Sequence, residues 1–489
     1  MGRRGLRLIT LAAIPVLAIS ACSSTSATPT AAPATQATTT TTPTPAPVTS
    51  AAPGAATVRW FVGLGSGTQP AQIDAQKAFV ANYNSTNKDG VTVKLEIVPN
   101  ANAYDVLKTE IAAGNAPDII GPVGVKGRNG FEGLFLDLTS EISKNNFDLT
   151  AYDQTLVKFF QTADGQVGLP YDIYPGYIWY NKDAFSKAGL PNLPTKVGDQ
   201  YQGQTWDWTE LGKVAAQLTL DKNGKNSTQA GFDAKNIVKY GIDFQWADGR
   251  RMASDFGAGS FVAADGKTAQ IPSLWSDAFS WYYDAIWKYH YAPNGAAESS
   301  TLLAQGNSQS SGNVAMNAAW GWSISSIATD AKTAKVKTWD MAVVPSWKGA
   351  TTAGMDADTF TITKASKNPD AAFKAMVAIM ADSTLMKDYG GEPAKTADQA
   401  GFFTSFDATL APIFPGNKVT WSVLGEMEKY PAVPSIEANM PNFTQAGNDY
   451  TAFYTKLQSK SGLDINAELA TLQKTLQKDF DNAQPLLNQ

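Results

Sequence analysis

The chain has 489 residues, 43% of them hydrophobic and 11% aromatic, with 39 basic against 44 acidic residues. It is too long for one ordinary core and long enough for two domains, and an acidic balance with scattered lysines argues against a nucleic-acid partner. One cysteine excludes an internal disulfide, so the fold must rest on its core.

In chain order, residues 1–21 come first and read as an export signal: Arg3, Arg4 and Arg7, an apolar run from Leu8 to Ile19, then small residues. The run is too short for a comfortable membrane span. Ile19-Ser20-Ala21-Cys22 resembles the lipobox of bacterial lipoprotein precursors, which implies lipidation of Cys22. Residues 22–56 are almost entirely Ser, Thr, Ala and Pro, a composition with too little apolar surface to order itself, and read as a tether. Its random-coil reach is on the order of 30 Å. Leader and tether carry three basic residues and no acidic one, leaving 36 against 44 in the body, a formal charge of −8.

The body opens with the strand "TVRWFV", the loop "GLGSGTQP" and a helix on which Ile73, Phe79, Val80 and Tyr83 recur at helical spacing. Val91, Val93, Leu95 and Ile97 alternate with polar residues as in a strand with one drier side. A helix from about Asn102 to Ala113 and the buried strand "DIIG" follow. This rhythm predicts an open α/β domain with parallel strands, whose ligand lies beyond the strand carboxyl ends, between the loops 63–69 and 121–128. Gly63, Gly65 and Gly67 brush the glycine patterns of nucleotide sites without the full spacing, so no cofactor is expected. "LPYDIYPGYIWYNKDAF", Leu169 to Phe185, suits neither an ordinary strand nor an ordinary helix. Asp207 or Thr209 caps a helix, "DKNGKNST" is a surface turn, and Leu274, Trp275, Phe279, Tyr282, Tyr283 and Ile286 share one face of a core helix. His290, the only histidine, falls in that helix, which speaks against a histidine-based metal site. "SSGNVAMNAAW" reads as a small-residue helix and "TFTIT" as a strand, with helices over 369–380 and 465–480 after them.

"GLPYDIYPGYIWYNKDAFSKAGL", "TWDWTEL", "SSGNVAMNAAWGWS", "KTWDMAVVPSWKG" and "TFTITKASKNPDAAFKAMVAIMAD", in that order, resemble the extracellular solute-binding protein family 1, the receptors of ABC importers that include maltodextrin-binding proteins. The resemblance implies two discontinuous α/β domains, of the periplasmic binding protein type II, joined by a three-segment hinge. Carried onto this chain, the domains are 57–173 with 356–390, and 174–355 with 391–489. The crossings fall near Asp172 to Gly176, Gly354 to Phe360 and Gly390 to Lys395, where glycines and prolines gather as hinge segments require. It also implies a monomeric, lipid-anchored receptor on the extracytoplasmic face of the cell membrane, with a saccharide as ligand, ABC permease subunits as partners and no enzymatic activity.

A sugar needs aromatic platforms for its apolar faces and polar groups for its hydroxyls. Tyr174 and Asp172 at the first crossing are the leading candidates. Trp320 and Trp322 lie where the family offers a stacking ring, with Trp320 favoured by position. Trp246 and Asp248 resemble the family's second-domain loop, beside Arg250. Asp356 and Asp358 stand at the second crossing, Glu392 at the third, and Lys126 in the second site loop, where small residues otherwise prevail and disfavour a long maltodextrin. The carboxylates also suit a polyamine or other charged solute, and two of them flanking a cleft are the minimum equipment of a glycoside hydrolase.

Overall fold

The computed structural model describes residues 56–483 apart from 163, 246–248, 304–307, 325, 326, 328–334, 433 and 434. Cys22, Trp246 and Asp248 therefore lie outside the described residues.

A ten-stranded mixed sheet organises the chain. Its strands are β1 (Ala56–Val62), β2 (Val91–Ile97), β3 (Ile119–Gly124), β4 (Leu169–Asn181), β5 (Leu220–Asp221), β6 (Ile237–Asp243), β7 (Val314–Trp320), β8 (Trp339–Ala342), β9 (Met355–Ile362) and β10 (Glu392–Pro393). The order is β2-β1-β3-β9-β4-β7-β6-β5, with β8 and β10 also paired to β4. The expected parallel start is present, because β1 pairs in parallel with β2 and β3. Helices over Pro70–Thr86 and Asn100–Ala112 supply its crossovers. β9 and β4 then run antiparallel to their neighbours.

β4 is the member that both halves of the sheet share. Asp172 to Pro175 pair with Asp358 to Met355 of β9, and Gly176 to Tyr180 pair with Trp320 to Met316 of β7. At the exchange, Gly176 N–H donates to the Gly354 carbonyl at 2.8 Å, and the Pro175 carbonyl accepts from Gly321 N–H at 3.0 Å. Pro175 has no N–H to give, yet its carbonyl still holds the strand. On the other side, Glu392 and Pro393 of β10 pair with Ile173 and Asp172. Three chain segments thus lie side by side at one junction.

Within the one compact unit from Ala52 to Gln489, apolar side chains gather in distinct cores. Trp60, Tyr171, Phe360, Phe373 and Ile379 belong to one, and Phe61, Leu107, Ile120 and Phe131 to another beside it. Tyr177, Trp208, Trp275, Phe279, Met341 and Leu457 belong to a third and larger one. Asp207 caps the helix Trp208–Leu218 by accepting from Glu210 N–H at 2.8 Å, which seats Trp208 in that core. Among the described residues no helix is long and apolar enough to cross a membrane.

Three expectations are corrected. "LPYDIYPGYIWYN" is one continuous buried strand, because its partners change where its backbone would have broken. "VAMNAAW" is the strand β7 and not a helix: it lies between β4 and β6, buried throughout, and tertiary pairing overrides its alanine-rich helix propensity. His290 lies just past the helix Ser273–Trp287, in a left-handed conformation, with Nδ1 3.1 Å from the Ile286 carbonyl.

Candidate functional site

Antiparallel register decides which candidates meet, since directly paired residues share a face and neighbours alternate. Tyr174 pairs with Asp356, Asp172 with Asp358, and Gly176 with Trp320. All of these project from the front of the junction. Ile173 pairs with Ala357 and with Glu392, which places Glu392 on the back.

On the front, the Tyr174 hydroxyl donates to Asp172 Oδ2 at 2.9 Å and lies 2.9 Å from Ser66 Oγ. Asp172 Oδ1 accepts from Asp358 N–H at 3.2 Å, and Asp358 Oδ2 accepts from Ser66 N–H at 2.9 Å. Both oxygens of Asp172 are thus taken by protein donors, and the residue is wholly buried. Burial, and then the charge of Asp358, push its carboxyl well above the usual range, against the pull of the Tyr174 hydroxyl. Burial, and then the charge of Asp356, push Asp358 up to about 7. Asp356 is raised by burial, opposed by the Arg250 guanidinium, and accepts from Ala357 N–H at 3.1 Å and Val125 N–H at 3.4 Å.

The loop after β1 reaches this cluster because two buried glutamines hold it. Gln72 Oε1 accepts from Gly67 N–H and Gln76 Nε2 donates to the Gly67 carbonyl, each at 2.9 Å. Close approach also demands small residues: a Cβ on Gly65 would stand 2.7 Å from Asp358 Oδ1, and one on Gly321 2.9 Å from the Tyr174 Cα.

Trp320 is buried beside the junction and Trp322 is half-buried. Lys126 is exposed on the short helix Val125–Gly130, turned to solvent. Glu392 meets Glu428 behind the junction, away from the front carboxylates; burial, and then the charge of Glu428, raise it strongly. Among the described residues no group of three or more His, Cys, Asp or Glu is arranged to hold a metal ion.

Sequence reasoning missed several participants. Ser66 lies in a loop read as small residues and backbone amides; Arg250, named in the sequence but equally readable there as a surface charge, stands near Asp356 and 3.4 Å from Glu437. Contacts also bridge the two sides of the front. Lys108 Nζ donates to Thr444 Oγ1 at 2.7 Å, Asn129 Nδ2 to Ser435 Oγ at 3.2 Å, and the Asn439 amide to Glu132 at 2.7 Å. No local pattern marks these pairs, whose partners stand more than 300 positions apart.

The family of bacterial extracellular solute-binding proteins matches residues 65–382. No curated protein sequence matches the chain. Among solved structures, the ABC substrate-binding protein Lmo0181 from Listeria monocytogenes in complex with cycloalternan is similar, at 19% identity over 88% of this chain and 98% of that one, with a TM-score of 0.62. So is the cyclic α-maltosyl-1,6-maltose binding protein of Arthrobacter globiformis, at 17% identity over 88% and 100%, with a TM-score of 0.62. Maltose-bound MalE3 of T. maritima shares 18% identity over 88% and 100%, with a TM-score of 0.60. At such identities the likeness is one of fold.

Proposed function

Because this chain belongs to the bacterial extracellular solute-binding protein family, we propose that it is an extracytoplasmic receptor that binds a sugar or oligosaccharide by hinged closure of two lobes. The lobes are 57–173 with 356–390, and 174–355 with 391–489. In support, the three largest clusters of buried apolar residues keep to that division, two in the first set of segments and the large one in the second. A small cluster of Leu156, Phe160, Ile173, Ala357 and Ala394 spans it at the junction, and partly buried Tyr104 packs on the large one from across. The junction then serves as hinge, and the cross-front contacts of Lys108, Asn129 and Asn439 hold the closed form.

The reading is carried by what register assembles on the front: an indole, a tyrosine and three carboxyl groups side by side. Trp320 and Trp322 offer planar apolar surface, and Asp356, Asp358 and Arg250 meet hydroxyls as acceptors and donors. Asp172 acts through Tyr174. The bound sugars of the similar structures agree with this chemistry. The lipobox-like segment at Cys22 supports a lipid anchor, and the family supports hand-over to ABC permease subunits. The density of carboxyl groups at the junction favours a second reading, an amine-bearing solute such as a polyamine.

A thermal-shift and tryptophan-fluorescence screen against maltose, maltotriose, cyclic glucans, spermidine and amino acids separates the readings. A raised midpoint with a saccharide that is recovered intact is the expected result. A response to spermidine alone replaces the first reading with the second, and steady hydrolysis of the sugar ends the receptor reading.

A further inference from the structure

Arg251 has no exposed surface, yet it is not a generic buried charge. It lies on the helix Arg250–Asp255, and its guanidinium spends its donors on three different segments. Nε donates to Asp255 Oδ2 at 2.6 Å, one terminal nitrogen to the Tyr177 carbonyl at 3.1 Å, and the other to the Ala319 carbonyl. The second oxygen of Asp255 accepts from Gly354 N–H at 2.9 Å. The guanidinium carbon lies 5.2 Å from the centroid of the Trp320 ring, within the range of a cation–π contact.

The surrounding backbone is cut to fit this side chain. A Cβ on Gly176 would overlap the guanidinium, and one on Gly354 would stand 2.9 Å from both Arg251 Cδ and the Trp320 ring. Gly176 belongs to the first crossing and Gly354 to the second, so one planar fork ties both crossings to the strand that ends in Trp320. A lysine could supply the charge but not the fork.

We propose that Arg251 is the positioning residue of the binding site: it fixes the Trp320 ring and locks the first two crossings to the second lobe. Bending between the lobes is thereby confined to the Asp172 and Asp358 side of the junction. The proposal rests on the receptor reading for its functional meaning, but its geometry can be tested without any ligand.

The test uses the full chain labelled with 5-fluorotryptophan, the Trp320 resonance being assigned by its loss in Trp320→Phe. Replacing the whole ion pair, Arg251→Met with Asp255→Leu, removes both charges at similar volume, an exchange that buried pairs often tolerate. The expected result is a variant that folds with a lowered melting midpoint, since the Tyr177 and Ala319 carbonyls and the Gly354 N–H lose these partners, with a displaced or broadened Trp320 resonance and the other tryptophans unmoved. An unmoved Trp320 resonance in the folded double variant overturns the proposal, because a purely structural ion pair leaves it in place. Should the double variant fail to fold, Arg251→Lys decides by the same resonance: displacement supports positioning and an unchanged signal refutes it. Where the parent binds maltotriose, the double variant is expected to bind it ~10-fold more weakly. No binding by the parent bears on the receptor reading and leaves the fluorine result standing.

Discussion

On the front of β4, Asp172 is wholly buried and both its oxygens meet donors, the Tyr174 hydroxyl at 2.9 Å and Asp358 N–H at 3.2 Å. On the back, Glu392 and Glu428 hydrogen-bond to each other, and Oε2 of the first and Oε1 of the second have no donor among the described residues. Two carboxyl groups can bond in this way only with a proton between them. Asp153, at the start of the helix Gln154–Phe159, adds a charge of the same sign. A buried acid can thus be surrounded by donors, which at Asp172 oppose the rise that burial causes, or be left facing another acid, where nothing but a retained proton relieves it.

The most damaging way to probe the front is to crowd it. Gly176→Ala forces a methyl into the Arg251 guanidinium, and urea unfolding should show a loss of about 3 kcal/mol. Tyr174→Phe removes one donor and leaves Asp172 Oδ2 unpaired, for an expected loss of about 2 kcal/mol by the same measurement. A change within error would mean that Ser66 or water replaces the hydroxyl.

The back is tested by pH. Burial first, and mutual charge second, raise Glu392, and burial raises Glu428, so the folded pair holds its proton where an unfolded glutamate, with a pKa of about 4.3, has lost it. The stabilisation is complete below that value and is lost as pH rises through the folded range. Stability should therefore fall between pH 5 and 8, and Glu428→Gln should flatten this decline by ~1 kcal/mol. Asp358, pushed up to about 7, adds a decline of the same sign. Asp358→Asn should remove that part alone, and an unchanged slope in both variants would mean that the acids titrate normally.

The smallest effect is expected at Lys126, exposed on the short helix Val125–Gly130. Lys126→Ala should leave stability within about 0.5 kcal/mol. A weakened response to the ligand found in the screen would place it on the rim of the site.

The candidate site was legible in part. Tyr174, Asp172, Asp356 and Asp358 could be named from local composition around Pro175 and Gly354, and register does bring them together. Glu392 looked equivalent to them in sequence, but one step of strand alternation puts it on the opposite face. Arg251 was passed over beside Arg250, because nothing local distinguishes a fully buried arginine from its half-buried neighbour.

By itself the sequence determined the periodicities, and hence the helices over 70–86, 369–380 and 465–481 and the parallel start of the sheet, because amphipathic spacing is a local property. It also marked the junction through the unusual backbone residues of Leu169 to Asn181. Only the tertiary structure decided that this segment is one strand with two sets of partners, that "VAMNAAW" is extended, and which acids share a face. Those outcomes depend on hydrogen bonds between β4 and segments more than a hundred residues away, and no local preference encodes such a pairing.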